Sequence, residues 1–314
     1  MSKFVDNLFS CLEEQGFRAR IVSVSHLNQL EQEIESLHIR GLLDSQFYQE
    51  RLVRFSFQTP KDLPNAQSLI VVAVPRPQTR AIFTCYRQKH PLILPPTYTA
   101  YDDTKKQVQD LLAKILREKG YKYARTALPL KLLAARSGLV QYGRNNIAYS
   151  SGLGSFFQLV AAYSDMPCEV DSWQEATMMK SCEECELCRK ACPTGAISSD
   201  RFLLQAERCI TYHNEKKGNV LFPKWMKVSW HNCIIACMRC QKVCLQNKEV
   251  IQWVEEGEEF SAEETNLLLE NVHHNKLPST TLRKLEHLSL VDYFDSLSRN
   301  LGIFLKKREE PKFE

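Results

Sequence analysis

Long apolar runs are missing from this sequence. Its longest aliphatic stretch, Leu69 to Val74, falls far short of the ~20 residues that cross a bilayer as a helix. The first residues, Met1 to Phe17, carry Asp6, Glu13 and Glu14 and lack the cationic region and apolar core of a secretory leader. Charge of one sign is also lacking. A net charge of +4 neither demands nor excludes a nucleic-acid partner. Glycine is sparse, with 11 in 314 residues, and no G-x-G-x-x-G follows the Leu69 to Val74 run, which removes the dinucleotide fingerprint. The eight histidines have no metal-ligand spacing, and His273-His274 beside Asn271 and Asn275 reads as a solvated helix end. No low-complexity segment occurs. The expectation is a soluble, cytoplasmic, globular chain with no membrane partner.

Cysteine is the residue in excess. Nine of the twelve lie between Ser181 and Asn247. The first run, Cys182-x2-Cys185-x2-Cys188-x3-Cys192-Pro193, has the spacing of a bacterial ferredoxin cluster loop, in which three thiolates wrap one cubane and the fourth reaches another. A second half is therefore needed, and Cys209 with Cys237-x2-Cys240-x3-Cys244 supplies it. With the fourth cysteine of each run crossing over, Cys182, Cys185, Cys188 and Cys244 are assigned to one [4Fe-4S] cluster, and Cys192, Cys209, Cys237 and Cys240 to the other. Cys233 is left as a spectator. Zinc sites use C-x2-C pairs too, but they need neither a third cysteine at the same interval nor the Cys-Pro ending. Disulfides do not suit such runs in a chain without a leader. Cys11, Cys85 and Cys168 stand alone and read as buried thiols.

Around these runs the expected fold class is α/β (α+β). An α/β domain is placed at residues 1–175, a double-cluster ferredoxin-like domain at 176–255, and a short helical tail at 256–314. In the first part, Val5, Leu8, Phe9 and Leu12 share a helical face, and Leu27 to Leu37, Val108 to Glu118 and Leu130 to Ser137 are also helical. Ala19 to Val24, Ser68 to Val74, Tyr121 to Ala127 and Phe156 to Tyr163 read as extended, the second as a strand buried on both faces. Arg76, Arg80, Arg87 and Lys89, with Tyr86 among them, read as a solvated loop, and Glu255 to Glu259 as an exposed linker.

Four of the eleven glycines fall between Gly138 and Gly154. Such density suits backbone passing beneath a large flat or anionic ligand, although a surface connection is the commoner use of such a loop. Gly138, Gly143, Arg144, Asn145, Gly154 and Ser155 are the candidate cofactor-binding residues.

Taken together, Gly138-Leu139, Gly143-Arg144, Gly154-Ser155-Phe156-Phe157, the first cysteine run continued as Thr194-Gly195-Ala196-Ile197, Arg208-Cys209-Ile210-x-Tyr212, and Cys237-x2-Cys240-Gln241-x-Val243-Cys244-x2-Asn247 resemble the epoxyqueuosine reductases over roughly residues 65–250. Thr281-Leu282-Arg283-Lys284 is faintly similar to that family's next segment. The resemblance implies a cobalamin-binding domain like those of nitroreductase-like cobalamin processors, distantly similar to reductive dehalogenases, joined to two [4Fe-4S] clusters. It also implies an electron donor such as ferredoxin or flavodoxin.

The chain departs from the family's pattern at four places. The family's catalytic aspartate matches Ala124 or Arg125, and no carboxylate lies between Tyr121 and Ser164. A Gly-x-Asp-Tyr-His stretch is replaced by Thr99-Ala-Tyr101-Asp102-Asp103, and the Pro after the last cysteine by Leu245. The long helical-repeat tail that helps hold tRNA has no counterpart before Glu314. The expectation is a reductase acting on an unidentified substrate, with a small molecule or a corrinoid protein as partner and tRNA disfavoured. A second reading is an electron-transfer protein or activator serving a corrinoid or other redox partner.

Overall fold

The computed structural model describes residues 2–305. They form two compact units, neither of them one continuous stretch. The first takes the chain up to Arg76, Asp102–Glu186 and Ile197–Ala206, and the second takes Pro77–Tyr101, Leu187–Ala196 and everything from Glu207 onward.

The strand Ser68–Pro75 organises the first unit. It pairs antiparallel with Arg18–Ser23 on one side and Phe157–Ser164 on the other, and Tyr123–Arg125 completes a four-stranded sheet beyond the latter. Its apolar run lacks alternation because each face meets its own core. Leu69, Val71 and Ala73 join Leu27, Leu30, Leu133 and Ala134 on one face. Ile70, Val72 and Val74 join Val5, Leu8, Leu12, Val108 and Leu112 on the other. Burying each such Leu, Ile or Val contributes about 1.5–3 kcal/mol. The helices are Lys3–Glu14 and Tyr101–Arg117 on one face, Leu27–Ile39 and Leu130–Arg136 on the other. All strand pairs of this four-stranded sheet are antiparallel, so the architecture is the α+β form of the expected class. The expected helices and strands are present, with Tyr101–Arg117 beginning earlier than its apolar pattern.

Two expectations fail in the second unit, for one shared reason. The basic stretch is a hairpin, Gln78–Cys85 against Gln88–Leu94, turned by Tyr86 and Arg87 at φ +48° and +61°. The acidic stretch belongs to a third strand, Val254–Phe260, parallel to Gln78–Cys85. Charges of opposite sign stand on neighbouring strands. Arg80 pairs with Glu256, and Lys89 with Glu259 at 2.5 Å. Each run looked solvated because its partner lies more than 160 residues away. Beneath them Phe83 stacks on Phe260 at 4.7 Å. Gly257 is required there, since a Cβ would stand 2.6 Å from Thr79 Cγ2 and 3.1 Å from the Arg80 carbonyl oxygen.

The helices Ala262–Leu269, Ser279–His287 and Phe294–Leu305 pack Leu268, Leu285, Leu297 and Leu301 into this core. Of the isolated cysteines, Cys85 is buried, whereas Cys11 and Cys168 are only partly so. Among the described residues no helix is long and apolar enough to cross a membrane.

Candidate functional site

The glycine-rich stretch begins as a helix end. Gly138, at φ +71°, closes the Leu130–Arg136 helix by donating its N–H to the Ala135 carbonyl, a left-handed stop that glycine adopts without strain. A miniature hairpin follows, Gln141–Tyr142 against Ala148–Tyr149. Its tip is built by its own side chains. Asn145, 3 % exposed, donates from Nδ2 to the Tyr149 hydroxyl at 2.9 Å and accepts the Ile147 N–H on Oδ1 at 3.2 Å. The space beside Gly143 is filled the same way, since a Cβ there would lie 2.6 Å from both Asn145 Oδ1 and Tyr149 Cε2. Lys131 Nζ fastens the tip to the preceding helix through the Asn146 carbonyl oxygen at 2.8 Å.

Arg144 points out of this tip into the cysteine run. Its Nη2 donates to the carbonyls of Cys182 and Glu183, both at 2.8 Å, and its Nε to those of Cys185 and Cys182 at 3.0 and 3.2 Å. The chain entering that run also joins the hairpin. Tyr142 N–H donates to the Thr177 carbonyl at 3.0 Å, and Met179 N–H to the Tyr142 carbonyl at 2.8 Å. Two motifs that the sequence presents as separate form one local structure.

Gly154 and Ser155 lie at the far end of the loop. Gly154, at φ +55°, accepts the Ser150 N–H at 2.9 Å, and Ser155 is 4 % exposed. Arg76 emerges alongside, its N–H donating to the Phe156 carbonyl at 2.9 Å. Its side-chain Nε is buried without a hydrogen-bond partner among the described residues. Read from sequence, Arg76 belonged to a solvated loop, and only the antiparallel pairing of its strand with Phe157–Ser164 brings it here. A cleft of about 570 Å³ opens in the same unit, lined by Arg18, Arg20, Gly138 and Gln141. Of the six candidate cofactor residues it touches Gly138 alone.

Within the second unit five thiols form an interacting set. Cys192 and Cys209 both raise the pKa of Cys237, and Cys237, Cys209, Cys188 and Cys192 all raise that of Cys240. Burial is the larger cause, pushing Cys237 up to about 12 and Cys240 well above the ordinary thiol range. A set of buried, mutually repelling thiols suits a cationic iron-sulfur core, which keeps bound thiolates deprotonated. Among the described residues no three His, Cys, Asp or Glu groups gather closely enough for a single metal ion. A four-iron core takes one thiolate per iron and does not require that. Cys233 is 1 % exposed, its thiol pushed to about 12 first by burial and then by Cys237. Cys188 lies in the Leu187–Ala191 helix and Cys244 opens the Leu245–Asn247 turn, whereas Cys182 and Cys185 belong to the first unit.

The second unit's cysteines are positioned by amides that the sequence did not single out. Asn300, 1 % exposed, donates to the carbonyls of Asn214 at 2.8 Å and Ile234 at 2.9 Å. It thereby links the end of the Cys209-capped helix Ile210–Asn214 to the segment leading into Cys237. Asn214 Nδ2 donates to the Ala236 carbonyl at 2.8 Å. Arg299 reaches the carbonyls of His213, Lys216 and Val220. A polar pair interrupting the apolar Leu297, Leu301 and Leu305 face was the available signal. Asn247, by contrast, belongs to the second cysteine motif, and it closes the last turn by donating to the Gln241 carbonyl at 2.9 Å.

Of the two residues that the sequence comparison sets against the family's acid, Ala124 is 4 % exposed within the core and Arg125 is exposed on the edge strand. Asp102 and Asp103 are exposed in the first turn of the Tyr101–Arg117 helix.

Comparison with known proteins agrees with this geometry. A family model described as "4Fe-4S double cluster binding domain" matches residues 181–247. The epoxyqueuosine reductase of Staphylococcus aureus is 25 % identical over 240 residues, 71 % of this chain and 59 % of that protein. In sequence the chain resembles the epoxyqueuosine reductases. It spans under two thirds of that curated relative's length. The Bacillus subtilis epoxyqueuosine reductase, solved with a catalytic aspartate loop swung out of its active site, matches with a TM-score of 0.66 and 22 % identity. That match covers 96 % of this chain and 80 % of that one. An epoxyqueuosine reductase solved with an epoxyqueuosine-modified tRNA-Tyr stem loop matches with a TM-score of 0.63 and 21 % identity, over 96 % and 79 % of the two chains. At these identities the likeness establishes the fold.

Proposed function

We propose that this chain is an iron-sulfur reductase with a corrin as its terminal cofactor. One observation carries the reading: the Arg144 guanidinium binds the carbonyls of Cys182, Glu183 and Cys185. An acceptor seated at the glycine-rich loop then stands on the same rigid piece of chain as the first cluster loop, and short, fixed separation is what electron transfer needs. Cys182, Cys185, Cys188 and Cys244 hold one cluster, and Cys192, Cys209, Cys237 and Cys240 the other. When bound, the corrin supplies the low-valent cobalt chemistry that the protein's side chains lack.

The residues present fit such a cofactor. Arg76 Nε offers a buried donor with no partner among the described residues, and the Arg76 backbone bonds to the Phe156 carbonyl, one residue past Ser155. Gly138, Gly154, Ser155 and Arg76 are therefore the cofactor contacts in this reading. Gly143, Arg144 and Asn145 hold the loop and the cluster segment in place.

The substrate is a reducible small molecule or a modified nucleoside of the kind the relatives' names describe. Arg125 and Ala124 favour a second reading, a low-potential electron-transfer protein or activator for a corrinoid or other partner, because neither can donate a proton to a departing oxygen. The deciding assay is single-turnover reduction of an epoxyqueuosine-containing tRNA stem loop by reconstituted, prereduced protein supplied with cobalamin. Conversion supports the enzyme reading. Absence of conversion, with both clusters reducible, removes the modified nucleoside and leaves a small-molecule substrate or the electron-transfer reading.

A further inference from the structure

From Lys216 to Lys248 the chain contains no Asp or Glu, while Lys217, Lys224, Lys227 and Lys242 within it are exposed. This acid-free stretch also carries exposed apolar side chains. Leu221 is 85 % exposed, Val228 46 %, Trp225 45 % and Val220 42 %, a cluster that a solvated surface gains nothing by keeping.

The segment Val220 to Trp230 is nevertheless firmly seated. Arg299 Nη1 holds the Val220 carbonyl at 2.5 Å, and the Phe222 ring lies 4.2 Å from that guanidinium. The Trp225 ring meets His213, on the Cys209-capped helix, edge-on at 5.4 Å. Arg239, between Cys237 and Cys240, donates to the carbonyls of Ser229 and Trp230 at 2.8 Å. The strip is thus bonded to the two segments that present Cys209, Cys237 and Cys240.

We infer that this strip is the docking surface for an acidic protein carrier of single electrons, an inference that rests on the iron-sulfur reading above. The exposed lysines steer an acidic carrier into encounter, and Trp225 with the exposed aliphatic side chains gives it a face to bury. Attachment to the cysteine-bearing segments keeps the path from carrier to thiol set short. The carrier gives up one electron and this protein gains one, with no bond made or broken. RNA is disfavoured as the occupant because Leu221, Val220 and Val228 offer aliphatic surface where single strands call for stacked rings.

The test uses full-length protein with both clusters reconstituted. Bleaching of the cluster absorbance is followed by stopped flow with reduced flavodoxin as an acidic donor and with dithionite as a small one. Wild-type reduction by flavodoxin should fall steeply between about 20 mM and about 500 mM salt. The double variant Lys224→Glu/Lys227→Glu should lose at least ~10-fold in the flavodoxin rate. Leu221→Ser should lose several-fold, and all three proteins should respond equally to dithionite. Flavodoxin rates unchanged by both variants overturn the assignment. So does loss of RNA stem-loop binding in the double variant with the flavodoxin rate intact. A wild-type protein that takes up no iron and sulfide and gains no cluster absorbance on reconstitution refutes the iron-sulfur reading itself, and the docking surface falls with it.

Discussion

The guanidinium Nη2 of Arg144 lies 2.8 Å from the carbonyl oxygen of Cys182. Together with the bonds to Glu183 and Cys185, it makes one side chain the clamp of the first cluster loop. Hydrogen bonds from a charged donor contribute about 1.5–3 kcal/mol each, and this side chain is only 16 % exposed. Arg144→Gln should therefore fold but retain clearly less iron than wild type after anaerobic reconstitution. Arg144→Lys should fall between, keeping the charge and losing the planar fork. Iron and sulfide per folded chain decide it, and wild-type loading in Arg144→Gln would remove the clamp from the account.

The thiols make a second prediction. Two four-iron clusters require about eight irons per chain. Cys237→Ser should reduce the loading to about half, while Cys233→Ser should leave it unchanged, since Cys233 is assigned to neither cluster. Equal losses in the two variants would place Cys233 among the ligands.

How much was legible in the sequence depends on distance along the chain. Cys182 to Cys192 was legible because a cubane imposes its spacing within eleven residues, and Ser68–Pro75 because a strand with a core on each face must be apolar throughout. Val254–Phe260 was hidden because its acidic residues are satisfied by Arg80 and Lys89, and neither run announces the other. Arg144 stood out for its neighbourhood, although its bonds go to backbone carbonyls some forty residues ahead. Asn300 carried only the faint mark of a polar residue on an apolar face.

Asn300 gives a third prediction. Truncation in Asn300→Ala takes the Asn300 donor from the buried Ile234 carbonyl, at a cost of about 1–3 kcal/mol, and leaves the Asn214 carbonyl only the longer bond from Arg299 Nη2 at 3.3 Å. Tm should drop by several degrees, and cluster loading should decline with it. An unchanged Tm would show that water replaces the amide.

Fourth, epoxyqueuosine conversion should be slow. A positioned acid contributes about a hundred- to ten-thousand-fold, and the matching place holds buried Ala124 and exposed Arg125. Asp102 and Asp103 sit exposed at a helix start, an unfavourable position for an acid that must work shielded from water. Single-turnover rates on modified tRNA stem loops should lie at least ~100-fold below those of an aspartate-bearing relative. Equal rates would mean that an acid enters from elsewhere in the chain.

The central claim is that the loop ending in Gly154 and Ser155, with Arg76 beside it, takes a corrin, and titrating reconstituted protein with hydroxocobalamin tests it most directly. The account predicts saturable binding near one corrin per chain, a visible spectrum distinct from that of free hydroxocobalamin, and binding weakened at least tenfold, ~1.4 kcal/mol, in Arg76→Leu with cluster content unchanged. A protein that keeps both clusters and leaves the hydroxocobalamin spectrum unchanged at every concentration would contradict it.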